Sequence, residues 1–379
     1  ALAVQGCDVL AELAVSGPFG SYLRRENDQY VLDLSWMLGY DTHDGLVKPG
    51  GRALFALRDG KLCTVAIERP EGRIAVDAAE YPQARAAMLA GMNEDLTTFR
   101  HNISTHLASL TPWAIATMNQ LGPDHPLRRL LHHVFDTVLV GNREVAQFQL
   151  DGPDGFSANI FSHDAPVLAA MAGDYLRRFD FWNFEPQTHF ERAGTAITPF
   201  AYSYRENVMR IWPITLEFAT DYIRHYYADD AALRDDAEVG SWLREIDRLL
   251  TNGIKLPAGG TTREWLARLT ATLIHHSSVE HDILNNVSWD YSTLSWLIPT
   301  TVPMTQRRAF DLIATLIGTW KPYNMLLTSN IPSLALDDRG RALMQRWIDR
   351  LAGVQQEMAA QPARSDWSYP AKWNPSISD

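Results

Sequence analysis

Cysteine is scarce in this chain. Two thiols in 379 residues, Cys7 and Cys63, are too few for a disulfide framework, and no Cys-x-x-Cys pair offers a thiolate metal site. They read as two small apolar side chains. Long apolar runs are missing as well. No stretch approaches the roughly 20 residues that cross a bilayer. Ala1–Val15 is largely apolar but carries no basic residue, so it does not read as a signal peptide, and a cytoplasmic location is the expectation. Basic charge is in deficit, with a net charge of -11. That balance excludes a nucleic-acid partner, because phosphate binding needs a positive field.

Several catalytic signatures are also absent. There is no His-Glu-x-x-His for a zinc protease and no Glu-x-x-His for a di-iron bundle. No Gly-x-Ser-x-Gly elbow occurs. Gly50-Gly51 and Gly259-Gly260 fit neither a phosphate loop nor a dinucleotide fingerprint.

What remains is a chain able to bury a large core without covalent staples. Residues 1–75 read as an irregular, strand-rich lead-in. Tyr30–Leu34, Ala53–Leu57 and Leu62–Glu68 are short apolar runs, the last following the turn signal Arg58-Asp59-Gly60. From Tyr81 the apolar period becomes helical. It predicts helices over Pro82–Leu110, Pro126–Val140, Val208–Tyr227, Val239–Leu250, Thr262–Leu284, Gln306–Ile317 and Arg339–Ala359. Thr261-Thr262-Arg263-Glu264 resembles a capping box. The expected fold is mainly α, a single domain over 1–379 whose body is residues 76–379.

Histidine supplies the chemistry. His101 and His106 lie five apart, and His276 precedes Glu280 by four. Imidazoles and carboxylates gathered from distant segments are a donor set for a redox-active non-haem metal. Residues five apart on a regular helix diverge by about 140°. His101 and His106 therefore converge only if the helix widens locally. His276 and Glu280 share a face of a regular helix. His281 is a rival, since His276-x4-His281 repeats the first spacing, but its use needs a second widened turn. His132 and His133 read as ordinary helix residues, and His275 as at most a neighbour that supports the ligands.

Ordered segments of the chain resemble the lipoxygenase family. Phe99–Leu121 (FRHNISTHLASLTPWAIATMNQL) is similar to its two-histidine metal helix. His125–Thr137 (HPLRRLLHHVFDT) is similar to its His-Pro segment, and Tyr204–Ile246 to its region ending Asp-x-Glu-x-x-x-Trp. Leu256–Val279 resembles the helix bearing its third histidine, and Tyr369–Asp379 (YPAKWNPSISD) its C-terminal tail. The resemblance implies a large helical catalytic domain, without the family's N-terminal β-barrel. It implies a mononuclear non-haem iron, with manganese compatible with the same donors, held by His101, His106, His276 and the Asp379 carboxylate. Glu280 stands where the family has a weak fourth ligand. The implied reaction is that of a dioxygenase. Ferric hydroxide takes a hydrogen atom from an activated C–H, and O2 then adds to the unsaturated, lipid-like substrate. Two alternatives accompany it: an oxygenase of specialised metabolism with a smaller, more polar substrate, and a metal-free lipid-binding descendant.

Overall fold

A computed structural model describes residues 6–135, 138–152, 155–290, 298–306 and 331–360. The N-terminal part is a five-stranded antiparallel meander in the order β1-β2-β3-β4-β5. Its strands are Arg24–Glu26, Gln29–Asp33, Arg52–Arg58, Lys61–Arg69 and Gly72–Ala75. The β3–β4 hairpin closes at Asp59-Gly60, both at positive φ (50° and 74°), the backbone that a tight two-residue hairpin turn demands. Sequence and structure agree there. The short strands β1 and β5, largely exposed, carry no apolar signal and were not expected.

The segment before the sheet is fastened to it. Val9–Val15 is a helix whose N-cap, Asp8, accepts a hydrogen bond from the Ala11 N–H. The same carboxylate accepts from the Thr64 N–H and hydroxyl on β4. Cys7 and Cys63 form a disulfide beside this contact, with their Cα atoms 4.8 Å apart. The reading of two independent thiols is therefore corrected. Their approach depends on the pairing of Gly6 with Leu62, a long-range contact that spacing alone does not reveal.

The remaining described structure is helical. Tyr81–Glu94 runs on through Asp95–Leu110 into Thr111–Gln120. Gly91 lets this rod lie against the sheet, because a Cβ there would sit 2.6 Å from the Gly50 Cα. Ser203–Tyr226, Ala237–Leu249 and Asp338–Ala360 confirm expected helices with ends shifted by a few residues, and the expected Thr262–Leu284 is a run of Arg263–His275, His276–Glu280 and His281–Asp290. Thr262 is the cap of Arg263–His275, accepting from the Trp265 N–H. Glu264 then falls one position early, so the capping box is not formed. Beyond Gln306, the expected helix Gln306–Ile317 lies outside the described residues. Ala165–Leu176 was not expected, although Asp164 caps it and Pro166 opens it. Buried side chains from the sheet (Phe55, Ile67) and from the helices (Trp113, Trp212, Trp347) belong to one apolar cluster. Among the described residues no helix is long and apolar enough to cross a membrane.

The resembling segment Asp236-x-Glu238-x-x-x-Trp242 acts in this scaffold. Asp236 caps Ala237–Leu249 and also accepts from the Tyr227 hydroxyl at 2.9 Å. Glu238 accepts the Gly122 N–H, and the Trp242 indole N–H donates to the Thr117 hydroxyl. These bonds lock the C-terminal end of the histidine-bearing rod to its neighbours.

Candidate metal centre

The rod widens where the first two histidines lie. Over Asp95–Leu110 the backbone bonds run to the fifth residue back, and at its end the Thr111 N–H donates to the His106 carbonyl. The Thr111 hydroxyl donates to the same carbonyl at 2.9 Å, and Thr105 does likewise to Arg100. These hydroxyls hold carbonyls that a widened turn leaves poorly served. The expected widening is present, and residues five apart now share a face. His101 and His106 meet with Nε2 atoms 3.1 Å apart.

A second widened turn, His276–Glu280, follows Arg263–His275, and the His281 N–H donates to the His276 carbonyl. It changes which residue completes the site. The His281 Nε2 lies 3.2 Å from that of His101 and 3.1 Å from that of His106. All three rings are buried. The structure does not bring His276 to this point. Its ring stacks on Phe184 instead, with centroids 3.6 Å apart. Glu280 is turned away as well, accepting from the Arg100 Nε at 3.0 Å and Nη2 at 2.5 Å. The regular-helix geometry that put His276 and Glu280 on one face does not hold through this widened turn. Asp379 lies outside the described residues.

The nitrogen triangle fits a metal. Imidazole nitrogens about 2.1 Å from an ion, on one face of an octahedron, stand about 3.0 Å apart. Three rings aimed at one point also make a poor hydrogen-bond network, because each neutral imidazole has one N–H to give. Among the described residues this is the one group of three His, Cys, Asp or Glu side chains close enough to share an ion.

Neighbouring side chains orient the rings. His106 Nδ1 lies 2.6 Å from the Asn142 Oδ1, while the Asn142 amide donates to the His106 carbonyl and the Thr111 hydroxyl. With Nδ1–H donated to Asn142, the Nε2 lone pair is left for a metal. Asn142 sits on Val138–Glu144, and no spacing marks it in the sequence. Asn142→Ala is expected to weaken metal affinity about 10–100-fold, measured by competition with a chelator. Unchanged affinity would show that this bond does not hold the ring.

Arg100 carries its charge inside the protein. Burial acts against that charge, but Glu280 and three nearby tyrosines outweigh it, and the guanidinium pKa is raised. Its Nη1 also donates to the Ser21 hydroxyl. Close by, the Tyr22 hydroxyl donates to Asp95 at 2.6 Å. Burial pushes the Asp95 carboxyl up to about 6, against the pull of Tyr22 and Arg100. His275 is pushed down to about 3 by burial, and its ring packs edge-on against Trp212. His132 is exposed.

Fold and site together describe a large helical body built around a three-imidazole centre. The family model described as Lipoxygenase matches residues 84–310, more than half of the chain. The chain belongs to the lipoxygenase family. It is similar to the linoleate 9/13-lipoxygenase of Pseudomonas aeruginosa, 30% identical over 194 residues, which are 49% of this chain and 27% of that protein. It is also similar to linoleate 9S-lipoxygenase 2 of Oryza sativa subsp. japonica, 25% identical over 302 residues, 69% of this chain and 34% of the relative. The chain thus spans about a third or less of the length of these curated relatives. Among solved structures, the coral 8R-lipoxygenase superposes with a TM-score of 0.86 at 16% identity, covering 98% of this chain and 65% of that one. A lipoxygenase crystallised with arachidonate superposes at 0.83 with 16% identity, over 96% of this chain and 66% of that one.

Proposed function

We propose that the protein is a lipoxygenase-type dioxygenase whose mononuclear non-haem iron is held by His101, His106 and His281. The observation that carries this reading is the Nε2 triangle, with edges of 3.1–3.2 Å, inside a buried wall. Asp379 adds a carboxylate to the set in this reading. When bound there, a redox-active iron supplies the one-electron chemistry by which hydrogen leaves an activated C–H and O2 adds to the carbon. The chain's own residues prepare the site. Asn142 fixes the tautomer of His106. Arg100 draws the Glu280 carboxylate away, so the described wall offers the ion neutral nitrogen donors. Fewer anionic donors favour a higher potential, which suits hydrogen abstraction. Manganese remains compatible with the same nitrogen and oxygen donors.

The test is metal analysis with oxygen uptake. Purified protein is expected to hold about one iron per chain, as a single three-nitrogen site allows. It should consume O2 with an unsaturated substrate, and chelation should stop uptake until iron is restored. Protein that binds fatty acid with neither iron nor uptake would overturn the proposal in favour of a lipid-binding role.

A further inference from the structure

Beyond Pro126–Phe135 the chain returns along the histidine-bearing rod, through Val138–Glu144, Val145–Leu150 and Phe156–Ile160. Four polar contacts join the two, and they come in register. Rising along the returning chain, Asn142 meets His106, Gln149 meets Asn102, Ser157 meets Thr98 and His163 meets Glu94. On the rod these partners are residues 106, 102, 98 and 94, one every four, read backwards. The Asn102 amide donates to the Gln149 Oε1 at 2.7 Å, and the Thr98 hydroxyl to that of Ser157 at 3.1 Å. His163 Nδ1 lies 2.7 Å from the Glu94 Oε1. Glu94, Thr98, Asn102, Ser157 and His163 are fully buried. Such a seam does little for stability that apolar packing would not do. Among the described residues the Glu94 Oε2, the His163 Nε2 and the Asn102 Oδ1 meet no hydrogen-bond partner, and a buried polar group left unmet is costly. What hydrogen bonds add over apolar contact is direction.

Apolar faces tolerate sliding and rotation, whereas four polar pairs hold at one translation and one rotation. That register matters here, because His101 and His106 converge only while the rod keeps its widened path. Glu94 is the last residue of the regular part, Asn102 stands between the two histidines, and His106 is itself a ring of the triangle. The seam grips the rod before and within the stretch that carries them. We propose that Gln149 and His163 are positioning residues of the metal centre. Through Asn102 and Glu94 they hold the widened rod in the register that aims His101 and His106 at one point. The inference rests on the three-imidazole reading above.

The probe is cobalt(II), which takes imidazole donors and whose visible bands report their arrangement. It is titrated into the metal-stripped protein against a chelator, with the denaturant midpoint measured in parallel. Gln149→Leu leaves the Asn102 amide unmet and should lower both midpoint and affinity. Asn102→Leu with Gln149→Leu replaces the pair by apolar groups, so the midpoint should return. The affinity should not return: binding weaker by about tenfold or more is expected, with altered bands. Glu94→Met with His163→Leu, a pair well upstream of His101, should behave in the same way. Either double variant, folded and with wild-type affinity and bands, would overturn the proposal, and the seam would then be core packing alone. Affinity that recovers together with the midpoint would overturn it too. Cobalt bound equally by the wild type and both double variants keeps the metal centre and rejects only the positioning role. A wild type that takes up no cobalt rejects the metal centre, and this inference with it.

Discussion

Replacing His281 by alanine is expected to strip the protein of metal as thoroughly as replacing His101 or His106, whereas His276→Ala should leave metal content unchanged. The three Nε2 atoms form one near-equilateral triangle, so each ring has the same claim on an ion at its centre. Binding energy shared among a few donors means that losing one imidazole costs on the order of a hundredfold or more in affinity. Oxygen uptake should fall with the metal. His276 faces a different task. It is fully buried against Phe184, and its truncation opens a hole beneath an aromatic ring. A loss of stability of about 2–4 kcal/mol is expected, as for other large-to-small core changes, with iron retained per folded chain. Measuring iron per folded chain across the four variants decides the matter. Full iron in His281→Ala, or none in folded His276→Ala, would move the third donor back to residue 276.

Glu280→Gln is expected to lower stability by about 3–5 kcal/mol while leaving the spectrum of the iron nearly intact. Arg100 and Glu280 are a buried pair, with side chains 13% and 10% exposed. Removing the charge of one partner leaves an uncompensated guanidinium inside the protein, and such changes carry a cost of that size. The denaturant midpoint reads it. Replacing both partners together, as in Arg100→Met with Glu280→Leu, should recover much of the loss, because the isolated charge is then gone. A large change in the iron spectrum with stability unaltered would instead make Glu280 a donor.

The contrast between residues 276 and 281 marks how far the sequence could be read. Apolar periodicity located Ser203–Tyr226 and Asp338–Ala360, because each buries one face along its whole length. The Asp59-Gly60 signal located the β3–β4 hairpin, because few residues adopt two positive φ angles. The pairing of His101 with His106 was legible through a conflict, since their spacing is unsuited to a regular helix. The same logic at His276 was applied with a regular helix, which favoured Glu280 as its companion. Whether a turn widens depends on carbonyls being met by side chains such as Thr105 and Thr111, and on packing that periodicity does not encode. Asn142 and the Cys7–Cys63 bond were invisible for a related reason. Each is created by two segments meeting in space, with nothing unusual in either segment alone.

The most direct measurement of the central claim is diffraction from crystals of the iron-loaded protein at wavelengths on either side of the iron absorption edge. The account predicts one anomalous peak, bonded to the Nε2 atoms of His101, His106 and His281, with the Arg100–Glu280 pair intact beside it. A peak bonded to His276 or Glu280, or folded protein with no peak between the three rings, would contradict it.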